Sequence, residues 1–259
     1  MNERSRELLR YRDFLVNMIA AELKLRYRDS LLGFLWTILN PLFFLLILAA
    51  VFSKILRIQV PNYTIFLFSG LTSWLMIQQT VLIATGSIVA NQGFIKKIYV
   101  PKIVFPLANV LARYVDHLIL TIVLFGFMAA TGVPATWSLL AIVPVVLMHF
   151  FFSLGLALLA SVLYVRVKDV QHIIAILFQA FFYATPILYS ADQLPQGFRA
   201  VLKFNPFSYF VECFRAPIYA GTLPRPGDFL TALGLTAAVF AAGLIVFHRH
   251  EKDFVFHLT

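Results

Sequence analysis

Long apolar stretches alternate with short basic connectors along this chain. A helix needs about 20 mostly apolar residues to cross a bilayer. Six stretches meet or approach that length: Leu31 to Ser53, Tyr63 to Ala90, Ile103 to Thr131, Ser138 to Val165, His172 to Tyr189 and Phe229 to His248. The fifth is short and contains Pro186. The alternating polarity of a membrane β-barrel strand does not occur. The pattern predicts an all-α integral membrane protein with six transmembrane helices, residues 1–259 forming a single transmembrane domain.

The connectors carry patterns of their own. Within 1–30, Leu8, Tyr11, Leu15 and Met18 recur at three- and four-residue steps among Arg and Glu. That stripe predicts an amphipathic helix, lying in the interface rather than crossing it. Asn40-Pro41 falls inside the first spanning stretch. Proline kinks a helix, and the freed carbonyl needs a partner from protein or water. In the 91–102 connector, Gly93 and Pro101 bracket Phe94, Ile95, Ile98 and Tyr99. A plain loop would be polar, so these side chains are expected to dock on the chain's own bundle or on another protein. Residues 190–227 carry Pro195, Pro206, Pro217, Pro224 and Pro226, separated by apolar pieces too short to span. They predict a pair of re-entrant helices in the outer leaflet. Residues 249–259 form a tail.

Composition supports this class. Soluble domains are roughly half apolar and a quarter charged; this chain is 61% hydrophobic and 13% charged. Nothing is left over for a soluble catalytic domain. Residues 1–28 lack the apolar core of a cleavable signal peptide, so the first spanning helix is expected to serve as the targeting signal. Lys and Arg divide fourteen to six between the two faces of a six-crossing bundle. The richer face holds both ends of the chain, which predicts cytoplasmic termini. The net charge of +9 suits anionic lipid, worth about 1 kcal/mol per basic residue near the surface, and calls for no nucleic acid. The single Cys213 excludes an internal disulfide.

Candidate chemistry is sparse. Arg113, Asp116 and His117 stand at three- and four-residue steps in the third spanning stretch, hence on one face. Ionisable groups at membrane depth are functional candidates; an internal Arg–Asp pair facing neighbouring helices is the plainer alternative. Phe178, Phe182 and Tyr189 form one stripe in the fifth stretch. Aromatic side chains are normal at membrane interfaces, and they also offer flat apolar area at little rotamer cost, as a sugar pathway would need. No phosphate loop G-x-x-x-x-G-K-[ST] occurs, nor G-x-S-x-G or H-E-x-x-H. His248 and His250 fit no usual zinc spacing, and no metal site is expected.

The segment Gly33-Phe-Leu-Trp36-Thr-Ile-Leu-Asn40-Pro41, directly after a basic amphipathic helix, resembles the start of type-2 ABC exporter permeases. The likeness is strongest to the polysaccharide branch, the O-antigen (Wzm-type) and teichoic-acid export permeases. Asn91-Gln-Gly with Pro101 resembles that family's first cytoplasmic loop, and Arg166-Val-Lys-Asp169 its second, though many relatives read a tighter Arg-Asp there. Thr185-Pro186-Ile-Leu-Tyr189 and Asn205-Pro206 through Arg215 resemble its fifth helix and outer re-entrant pair.

The resemblance implies the type-2 permease fold and a homodimeric conduit in the bacterial inner membrane. Two copies of a separate ATPase would drive it, so the chain would be no enzyme and would carry no cofactor; ATP and Mg would sit on the partner. The substrate would be a lipid-linked glycan. Trp36, Trp74, Phe178, Phe182 and Tyr189 are then expected to line or gate the conduit. Phe94, Ile95, Ile98 and Tyr99 would meet the ATPase. Lys24, Arg26 and Arg28 would contact a lipid diphosphate, for which charge-assisted bonds suit Arg. Two alternatives stay open on the sequence: a small-molecule exporter of the same superfamily, and an integral-membrane enzyme using Arg113, Asp116 and His117 on lipid-linked sugars.

Overall fold

The computed structural model describes residues 11–26, 30–52, 60–97 and 100–254. No strand occurs among them. The helices are α1 (Arg12–Arg26), α2 (Trp36–Ala50), α3 (Tyr63–Thr85), α4 (Ser87–Ala90), α5 (Gln92–Lys97) and α6 (Val104–Ala130). They continue with α7 (Ile142–Arg166), α8 (Val170–Ala184), α9 (Gln196–Leu202), α10 (Pro206–Arg215) and α11 (Pro226–His250).

Among the described residues, four helical segments are long and apolar enough to cross a bilayer: α3, α6, α7 with the 3-10 turn before it (Trp137–Arg166), and α11. This is a multi-pass membrane protein. Helices α2 and α8 have 15 residues each, about 22 Å at 1.5 Å per residue, against a hydrocarbon core of about 30 Å. Local chemistry explains where α2 starts and where α8 stops. A 3-10 turn, Gly33–Leu35, precedes α2, and Gly33 takes φ 48°, a left-handed value that glycine adopts without strain. Thr185 ends α8 at φ −97° and ψ 141°, the extended conformation that a following proline imposes. Pro226 opens α11 at its first turn, where its missing N–H costs nothing.

Helix α3 is the centre of the bundle. It is apolar on every side, and 83% of its most apolar window is buried, against 17% for α11. A helix apolar all round belongs in an interior. Its neighbours are α7, α6 and α10, with α2 and α8 on a lighter seam. Ser73 on α3 donates to Nε2 of His149 on α7 at 2.8 Å, while His149 Nδ1 bonds the Val145 carbonyl at 2.8 Å. Both side chains are fully buried, so each satisfies a group that lipid could not.

Helices α7 and α11 touch backbone to backbone. A Cβ on Gly155 would lie 2.7 Å from Phe240 Cα, and one on Gly243 would lie 2.9 Å from Gly155 Cα. Such contact is how membrane helices gain van der Waals energy when lipid supplies no hydrophobic drive.

At the basic end, α1 lies across α6. Met18 is buried, Phe14 packs edge-on to Phe105 at 6.1 Å, and Asn109 Nδ2 donates to Glu22 at 3.3 Å. The end of the chain returns to the same region. Lys102 donates to the Glu251 carbonyl and lies 5.8 Å from the Phe254 ring centroid. Burial holds the Lys102 pKa below the ordinary lysine value, opposed by the charges of Glu251 and Asp253.

Candidate functional site

Helices α2, α3 and α6 enclose a half-open cavity of about 560 Å³. Trp36, Thr37, Asn40 and Pro41 line it from α2. Gln79 lines it from α3, between Leu75, Leu82 and Ile83. Arg113, Asp116, His117 and Leu120 line it from α6. The helical steps 113, 116 and 117 therefore do share one face, and that face borders the cavity.

Arg113 Nη1 stands 3.4 Å from Asp116 Oδ2. His117 Nε2 lies 3.5 Å from Thr80 Oγ1 on α3. The wall thus carries one guanidinium and one carboxylate side by side, formally neutral as a pair. An ion pair this deep is retained at a desolvation cost. Gln79 was not singled out in the sequence. Its signal is the Gln78-Gln79 pair in an otherwise apolar stretch, where Gln78 accepts from the Trp74 indole N–H at 2.9 Å.

The five aromatic candidates divide. Trp36 is half-buried on the cavity wall. Trp74 is 1% exposed and Phe178 5%. The Trp74 indole meets Phe178 and Phe182 at 5.8 Å each and Phe207 at 5.3 Å, with its ring enclosed in the protomer. Phe182 and Tyr189 are half-buried. Phe182 reaches α2 through Phe44, 6.4 Å between ring centres. Tyr189 donates to the Tyr183 carbonyl at 3.1 Å.

The segment beyond α8 is tied down by polar contacts. Asn205 Nδ2 donates to Thr185 Oγ1 at 2.9 Å and to the Ala184 carbonyl at 3.2 Å. Its Oδ1 accepts from the Phe207 N–H at 3.0 Å and so caps α10. Arg215 is buried. It pairs with Glu212 at 2.8 Å, donates to the Ile187 carbonyl at 3.3 Å and sits 3.9 Å over the Phe66 ring. Gly70 gives that guanidinium its space on α3. In the sequence Arg215 is only the last residue of the Asn205-to-Arg215 motif, a lone basic residue at the end of a short apolar helix.

On the connector, Phe94 is 49% exposed and edge-on to Phe14 at 6.3 Å, whereas Ile95 is 9% exposed and packs in the cluster that holds Met18. Ile98 and Tyr99 lie outside the described residues. Lys24 is exposed on α1; Arg28 and the Arg26 side chain lie outside the described residues.

The sequence model of the ABC-2 type transporter family matches residues 14–219, from α1 through the end of the tied outer segment. The chain belongs to the ABC-2 type transporter family. An O-antigen export system permease protein RfbA of Klebsiella pneumoniae is 30% identical over 244 residues, 93% of each chain. The protein of the same name in Myxococcus xanthus is 29% identical over 251 residues, 96% of each. The polysialic acid transport protein KpsM of Escherichia coli is 27% identical over 248 residues, 89% of this chain and 91% of its own. For this ABC-2 family chain, the cavity, the aromatic seam and the Thr185–Asn205 tie all fall inside the matched region.

Proposed function

We propose that this chain is the permease subunit of an ATP-driven exporter that moves a lipid-linked polysaccharide across the bacterial inner membrane. The observation that carries the reading is likeness along nearly the whole chain to permeases named for O-antigen export and polysialic acid transport. The α2–α3–α6 cavity agrees with it: polar side chains at membrane depth mark pathways.

In this reading two copies form the conduit and two ATPase subunits drive it. ATP and Mg bind only on the partner, since the chain has no phosphate loop. Six crossings, with α2 and α8 completing the four long helices, put both termini in the cytoplasm. Helices α9 and α10 form the outer re-entrant pair. Trp36, Phe182 and Tyr189 face the conduit, and Trp74 and Phe178 form the packed support behind them. Phe94, Ile95, Ile98 and Tyr99 belong to the surface that receives the ATPase stroke, with Phe94 as its exposed member. Lys24, Arg26 and Arg28 meet the lipid diphosphate by charge-assisted bonds.

The test is genetic and biochemical. A strain lacking this gene should lose its surface polysaccharide and accumulate the lipid-linked form inside. The tagged chain, expressed with its ATPase partner, should purify as a two-plus-two complex. Unchanged surface polysaccharide in the deletion strain would overturn the reading.

A further inference from the structure

The cavity between α2, α3 and α6 has features that a mere path for solvent does not need. Its volume of about 560 Å³ falls within the roughly 300–1,000 Å³ of small-molecule sites. Its lining combines a flat indole, Trp36, with two amides, Asn40 and Gln79, and the adjacent Arg113 and Asp116. The amides both donate and accept, the guanidinium only donates, and the ionised carboxylate only accepts. Arg113 lies nine residues after the start of α6, about 14 Å along the helix axis and one turn beyond Asn109, which bonds Glu22 of α1.

We propose that this cavity binds one or two neutral sugar residues of the transported glycan, with Trp36 as the aromatic wall and Arg113, Asp116, Asn40 and Gln79 as hydroxyl partners. The proposal rests on the exporter reading and assigns it a discrete subsite. The chemistry of the lining selects the ligand class. A phosphate would meet the Asp116 carboxylate beside Arg113. A cation would meet Arg113 beside Asp116. An acyl chain would offer the Asn40 and Gln79 amides no hydrogen-bond partner, which is costly away from water. A sugar ring offers hydroxyls that donate and accept in equal measure, and its C–H faces suit an indole. The adjacent groove between α7 and α8 makes the contrast. Its lining, Leu156, Leu163, Ile174 and Leu177 among others, is apolar throughout.

The experiment uses the full chain with its ATPase, in cells that make the glycan. Leu82 and Leu120, apolar members of the lining, are replaced in turn by photoreactive benzoylphenylalanine. Leu230, exposed on α11, is the control position. After irradiation, the cross-linked peptides are read by mass spectrometry for hexose-type fragment ions and for phospholipid masses. Sugar adducts are expected at Leu82 and Leu120 and not at Leu230. Trp36→Ala should lower their yield about tenfold, the equivalent of one modest contact, and Trp36→Phe should retain most of it. Co-purification with the ATPase checks that each variant folds; if Trp36→Ala fails that check, Gln79→Leu is read in its place. Phospholipid adducts alone, or no adducts, in cells that still export glycan would overturn the sugar site and leave the exporter reading standing. Loss of the exporter reading itself would show separately, as unchanged surface glycan in the deletion strain.

Discussion

Asn205 and Thr185 are twenty residues apart in the chain and 2.9 Å apart in space, joined by a bond from the Asn205 amide to the Thr185 hydroxyl. The Thr185 hydroxyl in turn donates to the Phe181 carbonyl at 2.6 Å. One side chain therefore caps α10 and holds the end of α8. Both residues precede a proline, so both are extended and both project a polar group where a helix has just stopped or is about to start.

Asn205→Ala should lower the unfolding temperature of the purified complex. A lost cap and newly unpaired buried acceptors together cost about 2 kcal/mol. Asn205→Asp should fall between the two proteins, because it still accepts from Phe207 but cannot donate to Thr185. Equal stability of the Ala and Asp variants would mean that the bonds donated to Thr185 and Ala184, and not the cap, carry the effect.

Gly155→Ala should separate α7 from α11. The added methyl meets backbone atoms of Val239 and Phe240, which no rotamer change can move aside, and overpacking of this kind costs about 1–3 kcal/mol. Gly234→Ala on the same α11 meets nothing within 4 Å and should be neutral or slightly stabilising. Thermal unfolding in detergent, monitored by retention of the monodisperse peak, compares the two. Equal melting would show that the helices are not in contact at Gly155.

Phe94→Asp and Ile95→Asp should behave differently. Phe94 is half exposed, so its replacement should spare insertion and protomer folding but abolish co-purification of the ATPase and export. Ile95 is buried in the chain's own packed cluster, so a charge there should destabilise the protomer itself by several kcal/mol. Normal ATPase binding by Phe94→Asp would remove this residue from the coupling surface.

Cysteine labelling tests which aromatic positions meet water. Cys213 is fully buried and should stay silent toward a membrane-impermeant maleimide. Phe182→Cys and Tyr189→Cys should react during active export, while Trp74→Cys stays protected by its enclosing rings. Ile176, exposed on the far side of α8, should be shielded by lipid. Ile174 is unsuited as that control, because it lines the apolar groove with Phe178. Protection at both Phe182 and Tyr189 would move the conduit to other helices.

The apolar runs alone were enough to define a helical membrane bundle. Bilayer thickness sets a minimum length, and backbone polarity allows little else than helices to meet it. The helical step was enough to put Arg113, Asp116 and His117 on one face, since that step is local geometry. Pro186, Pro206 and Pro226 stand where α8 stops and where α10 and α11 begin, although the apolar runs continue past Pro186 and start only at Phe229. Hydropathy does not distinguish a helix end from a continuing apolar coil, so the apolar run to Tyr189 outlasts α8, which ends at Ala184. Nor could it say which apolar face meets lipid and which meets protein, because both kinds of face are apolar. Only the packing of α3 at the centre decided that Trp74 is enclosed while Phe182 is half open. Only the approach of α2 and α6 to α3 brought Gln79 and Trp36 to the charged pair. Such pairings join residues dozens of positions apart, and they are set by how side chains of three helices fit together, which no local pattern encodes.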